Sequence, residues 1–295
     1  MKQGIHLNYP KPSYYAPHEG ALADMFTSKS MLTKFMPDPK WWRVTPPQPY
    51  TGSMKFGNLV DCLALTPLAF EQEYVIAPQF YPCEPTKKDP RHEKPWNMAA
   101  NFCKDWAEAQ TKEIVNMANY LEASQAVCNL KSFPAYAELM NGADTQVALF
   151  GEMEGVKVKS LLDILPRSDR YSHALADMET TAEMSEQNFA RTIARFGYHI
   201  QGALYLDLYN AITGENRDTF YIVWVHSKAP YEPAMRPLSP SALSEGRRWY
   251  KTALRQWKKC IETDVWPSPW DDTETPTDLP AFATLTDLDN DNEPE

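Results

Sequence analysis

The apolar pattern of this chain runs helical, then strand-like, then helical again. "SKSMLTKFMPDPKWW" opens with Ser28 in a capping position and predicts a helix that stops before Pro37. "FGNLVDCLALTPLAF" places Phe56, Leu59, Val60, Leu63 and Ala64 at helical spacing and ends at Pro67. "EYVIAPQF" reads as a short strand, and Tyr81 to Pro95, rich in prolines and charges, as a surface loop. A long helical region is expected from about Trp96 to Glu122, with a shorter one near Ser132 to Met140.

The middle of the chain changes period. "TQVALFGE", "VKVKSLLDILP" and "HALADME" are strand-like and joined by short turns, which predicts a meander of three antiparallel strands. Two helices follow, about Ser185 to Arg195 and Tyr198 to Ile212, with Gly197 at the break. "DTFYIVWVHS" is the clearest single strand, and after another short one a helix from Ser241 to about Glu262 closes the fold. Helices, a mixed sheet and more helices predict an α/β or α+β domain built as one unit.

Composition narrows the class. With 295 residues, 43% hydrophobic and 12% aromatic, the chain is globular and long enough to bury a large core. No apolar run reaches the length of a membrane span, and Met1 to Tyr15 is polar and unlike a signal peptide, so the expected location is the cytoplasm. Five scattered cysteines with no Cys-x-x-Cys pair fit reduced thiols. The net charge of −10 is local: residues 271–295 hold nine acids and no Lys or Arg, and without them the body carries −1. That tail reads as disordered and solubilising, which leaves residues 1–270 as a single domain. The dense basic stretches are "EGRRWYKTALRQWKK", which fits an amphipathic closing helix, and the Lys157/Lys159 pair.

The candidate chemistry is acidic. Residues two apart on a strand point the same way, so Asp177 and Glu179 in "LADMETT" aim two carboxylates at one spot. Asp163 ends the preceding strand, and an adjacent pair of strands would gather all three. Without a cation such a cluster is unfavourable, whereas Mg²⁺ or Mn²⁺, which take oxygen ligands, would turn it into a site able to hydrolyse a phosphate ester. By spacing alone, solvated edge acids are the simpler reading. Gly-rich phosphate loops, Gly-x-Ser-x-Gly elbows and His-Glu-x-x-His helices are absent from the sequence. His199 and His226 read as structural.

The order of these pieces resembles the exonuclease VIII (RecE-like) family of the PD-(D/E)xK nuclease superfamily, in its RecB-like branch, from about Ser28 to Pro267. "GVKVKSLLDILP" resembles that family's Gly-x-x-Cys-Lys-x-Arg-x-Asp strand and "LADMETT" its Asp-x-Lys-Thr-Thr strand. "FGYHIQGALYLDLYNAITG" is similar to its Tyr-His-x-Gln-x-x-x-Tyr helix. The resemblance implies a restriction-endonuclease-like core, a mixed central sheet flanked by helices. It also implies a Mg²⁺- or Mn²⁺-dependent exonuclease acting on linear double-stranded DNA ends for phage or prophage recombination. A single-strand annealing protein and a homo-oligomer are the partners it suggests. Carried over by position, Asp163 and Asp177 are metal ligands, Tyr198 and Gln201 organise the site, and Thr180 and Thr181 complete the strand motif.

The departures that bear on the chemistry are these: Asp61 replaces a His, Gln146 an upstream Glu, Leu161 an Arg and Glu179 the Lys. Asp61 is an additional metal-ligand candidate, Glu179 a candidate catalytic group, and Gln146 and Lys159 further candidates. Replacing Lys by Glu reverses a charge beside an incoming phosphate. The alternative expectation is therefore a catalytically degenerate nuclease fold that binds DNA ends or a host recombination or defence protein.

Overall fold

The computed structural model describes residues 2–45, 52–85 and 90–278. Most of the acidic tail, 279–295, lies outside the described residues; its start does not, since Pro269–Asp271 form a 3-10 turn and Lys40 Nζ meets Asp271 Oδ1 at 2.6 Å.

A six-stranded mixed sheet carries the molecule. Its strands are β1 (Gly4–His6), β2 (Asp144–Met153), β3 (Val156–Leu165), β4 (Ala174–Thr181), β5 (Thr219–His226) and β6 (Pro233–Pro237), side by side in that order. Neighbours run antiparallel except β4 and β5, which are parallel and register Asp177 against Ile222 and Glu179 against Trp224. β5 needs no help from a turn: "TFYIVWVH" is β-branched and aromatic almost throughout, and Phe220, Val223, Trp224 and Val225 are buried. The expected three-strand meander corresponds to β2, β3 and β4.

The main helices that cover the sheet among the described residues are α1 (Lys29–Phe35), α2 (Gly52–Leu65), α3 (Met117–Ser132), α4 (Glu186–Phe196), α5 (Tyr198–Thr213) and α6 (Pro240–Thr263). Ser28 caps α1, accepting from the Met31 amide. Gly197, at φ 66°, ends α4 and lets α5 start in a new direction. Leu32 and Phe35 of α1, Leu204 and Leu208 of α5, and Tyr250, Leu254 and Trp257 of α6 pack on one face of the sheet. Leu59 and Val60 of α2 and Ala126 and Leu130 of α3 pack on the other, against Ile164, Ala176 and Val223. α5 is apolar on nearly every side because it lies between the sheet and α6. That sandwich is tight at Gly246, where a Cβ would fall 2.1 Å from the carbonyl oxygen of His199.

Two expectations change. The helix expected over Trp96–Glu122 is two helices, Asn101–Glu108 and α3, with a strand Glu113–Val115 between them that pairs in parallel with Tyr74–Ile76. Asn116 caps α3, its side chain accepting from the Asn119 amide at 2.7 Å, so the helical period restarts there. The loop expected over Tyr81–Pro95 carries a short antiparallel ribbon, Phe80–Pro82 with Glu93–Pro95. All five cysteines are free thiols. No helix among the described residues is long and apolar enough to cross a membrane.

Candidate active site

β3 and β4 meet in register at Ile164 and Ala176, and beyond that pair aspartate side chains take over from the backbone ladder. The Asp163 amide donates to Asp177 Oδ1 at 2.9 Å, and the Met178 amide donates to Asp163 Oδ2 at 3.0 Å. Each carboxylate thus satisfies an amide of the opposite strand that would otherwise lack an acceptor.

The distortion extends into β2. Gln146 sits opposite Asp163 with φ at 51°, a left-handed conformation that costs a non-glycine residue on the order of 1 kcal/mol. The paired strands change faces there. Val147, Leu149, Val158 and Leu162 face the α5 side, whereas Ile164 faces α2 and α3, and Thr145 Oγ1 reaches the Leu65 carbonyl of α2. The side-chain Nε2 of Gln146 donates to Asp163 Oδ1 at 3.0 Å.

Together these residues open a cavity of about 690 Å³ that gathers Asp61 from α2, Gln146 from β2, Asp163 from β3, Asp177 and Glu179 from β4, and Gln201 from α5. Asp177 is 4% exposed. Burial is the main cause pushing the Asp61, Asp163 and Asp177 carboxyls upward, and the charge of Asp163 adds to the rise in Asp61 and Asp177. Glu179 is pushed up to about 7 by burial, with the Tyr198 hydroxyl holding it back. Four acids are therefore closer to their neutral forms than in water because they are buried, and three of them are also crowded by neighbouring carboxylates.

α5 reaches in from the opposite wall. Gln201 donates to Asp177 Oδ2, and the Tyr198 hydroxyl donates to Glu179 Oε2 at 2.8 Å. The candidates Asp61, Gln146, Asp163, Asp177, Glu179 and Gln201 thus line one cavity, and Tyr198 touches it through Glu179. Lys159 and Thr180 lie apart. The Lys159 ammonium donates to the Tyr14 carbonyl at 2.6 Å and lines a neighbouring cavity. Thr180 faces α2, where its Oγ1 would lie 3.1 Å from a Cβ on Gly57.

Sequence reasoning missed the cations. Lys29, the first residue of α1, lines the cavity, donates to the Phe196 carbonyl at 2.5 Å and lies 5.6 Å over the Tyr198 ring. Burial lowers its pKa, while Glu179 and Asp177 pull it back up. Lys11 lines the same cavity and lowers the pKa of Asp61. No spacing signal in the sequence ties either lysine to Asp61, or to Asp163, Asp177 and Glu179, which lie more than a hundred residues away. The one clue was the Ser28 cap, which sets Lys29 at the start of its helix.

Among the described residues no group of three or more His, Cys, Asp or Glu side chains forms a finished metal cage. The aspartates are instead turned onto amides and glutamines. The donor chemistry fits a hard divalent cation all the same. Every candidate ligand is an oxygen, the acids are buried in one cavity, and the buried Oε1 of Gln146 has no hydrogen-bond partner. Asp163, Asp177, Asp61 and Gln146 Oε1 are the groups that would hold such an ion.

Comparison with known proteins gives the same architecture. A family model described as "PDDEXK-like domain of unknown function (DUF3799)" matches residues 42–275. The crystal structure of a "putative exonuclease" from Eubacterium rectale aligns with a TM-score of 0.57 at 17% identity, covering 88% of this chain and 89% of that one. No curated protein matches the chain.

Proposed function

Because the chain belongs to the PDDEXK-like family DUF3799, we propose that it is a divalent-metal-dependent deoxyribonuclease that degrades linear double-stranded DNA from its ends. The observation that carries this reading is the parting of β3 and β4, which brings Asp163, Asp177 and Glu179 to one cavity where burial raises their pKa values. The narrower role, RecE-like resection of phage or prophage DNA ends beside an annealing protein, draws its support from the order of sequence motifs.

Asp163 and Asp177 would hold the cation, which when bound would neutralise charge at the phosphate and acidify water. The chain's own groups supply the rest. Glu179, poised near neutrality, takes the proton of the attacking water, and the Tyr198 hydroxyl fixes the carboxylate that does so. Gln201 holds Asp177 in orientation, as Gln146 holds Asp163. Lys29 places a positive charge beside Glu179, where an incoming phosphate would meet it.

The experiment is digestion of end-labelled linear duplex DNA in Mg²⁺ or Mn²⁺, with closed circular DNA and Asp163→Ala as controls. Label release from linear DNA by the wild type alone is expected. A second reading has its own support: both oxygens of Asp163 and of Asp177 already accept hydrogen bonds, and Glu179 stands where the superfamily motif has Lys. In that reading the fold binds DNA ends without cutting them. DNA binding with no label release in either metal would decide for it.

A further inference from the structure

A cavity of about 710 Å³ opens beside the far end of β4, lined by Thr180, Thr181, Asn188, Arg191, Arg195 and Phe196. The helix behind it, α4, is strongly two-sided. Phe189 and Ile193 pack into the core, with Phe189 stacked on Trp224 at 5.0 Å. Asn188, Arg191, Thr192 and Arg195 follow at spacings of three and four and share the opposite side.

Two acids lie near this face, and Glu183 lines the cavity itself. Glu186 lies 3.4 Å from Arg236, and Glu183 accepts from Asn188. No acid pairs with Arg191 or Arg195 among the described residues; Arg195 lies 5.3 Å over the Phe196 ring. Phe196 is 50% exposed and stacks on Tyr198 at 5.8 Å, and Tyr198 in turn bonds Glu179. Cations, hydroxyls and a half-exposed aromatic ring thus sit one side-chain stack from the acids.

We propose that the α4 face binds an unpaired nucleic-acid strand beside the bond being cut, with Arg191 and Arg195 on successive phosphates and Phe196 stacking a base. An unpaired strand fits because stacking on a side chain requires an open base face, which the interior of a duplex does not offer. This rests on the nuclease reading and adds the route by which one strand leads to the acids.

The test uses the full chain carrying Asp163→Asn, so that bound DNA is not cut, and a fluorescent single-stranded oligonucleotide titrated across a salt series. Adding Arg191→Ala with Arg195→Ala should weaken binding by at least tenfold and flatten the slope of log K against log salt by about 1 to 2. Phe196→Ala should weaken it roughly tenfold with the slope unchanged. Lys258→Ala with Lys259→Ala, on the outer side of α6, should change little. Equal losses from both pairs, or arginine variants that bind like the parent with unchanged melting temperatures, overturn the proposal while leaving label release by the wild type intact. A wild type that neither binds nor cuts DNA overturns this proposal and the nuclease reading together.

Discussion

The Tyr198 hydroxyl donates to Glu179 Oε2 at 2.8 Å, joining the first turn of α5 to the end of β4. That bond favours the ionised carboxylate and is the main influence offsetting its burial.

Tyr198→Phe should therefore move the ionisation of Glu179 upward. A hydrogen bond to a charged group contributes about 1.5 to 3 kcal/mol, which corresponds to roughly one to two pH units. The expected result is a pH–rate profile for DNA digestion whose rising limb shifts to higher pH, with activity near the parent level recovered on the alkaline side. A uniform loss at every pH would assign Tyr198 a different role.

Stability should depend on pH with a sign set by the same acids. Glu179 titrates near 7 in the fold against 4.5 when unfolded, so between those values the unfolded chain has already released its proton. Stability is full below about 4.5 and is lost as pH rises through 7, and Asp61, Asp163 and Asp177 are shifted in the same direction. Ionising Glu179 alone costs the fold on the order of 3 kcal/mol. In EDTA the melting temperature should be higher at pH 5 than at pH 8, and millimolar Mn²⁺ should raise the pH 8 value. Calorimetry at both pH values checks each part.

Asp163→Asn should separate chemistry from folding. The amide oxygen still accepts from the Met178 amide, and Gln146 can rotate to offer its free Oε1 to the new NH₂ group. Digestion should fall by at least about a hundredfold, while the melting temperature at pH 8 in EDTA stays level or rises, since one charge leaves a crowded cavity. Asp177→Ala, by contrast, strips the Asp163 amide of its acceptor and should cost roughly 1 to 3 kcal/mol besides.

The sequence announced what depends on local pattern. β2, β3 and β4, the Gly197 break, β5 and α6 were all legible from period and punctuation. The alternation of Asp177 with Glu179 also foretold which side of β4 carries the acids. What escaped depends on distant partners. Glu113–Val115 is a strand because Tyr74–Ile76 lies alongside it, and three residues inside a helical stretch cannot declare that. Its signals, the β-branched Ile114 and Val115 before the capping Asn116, are weak by themselves. Lys11 and Lys29 enter the cavity because the N-terminal segment folds over it, held where β1 pairs with β2. The left-handed turn at Gln146 was invisible, since glutamine carries no preference for it.

Gly246→Ala tests how firmly α5 is seated. The new methyl would meet the His199 carbonyl at 2.1 Å, backbone that cannot move aside without parting the two helices. A loss of roughly 2 to 3 kcal/mol in denaturant unfolding is expected. Digestion should drop as well, because His199 stands between Tyr198 and Gln201, the two residues of α5 that touch the acids.

The seam between β3 and β4 has a consequence for how the molecule responds to what it binds. Two of its backbone amides, those of Asp163 and Met178, are held by carboxylates in place of carbonyls. An ion arriving at these oxygens would compete with the two amides for the same acceptors, so occupancy of the site would loosen this seam locally even while it stabilises the fold as a whole. The amide signals of these two residues should thus act as a built-in gauge, exchanging faster when the cavity is loaded and slower when it is bare.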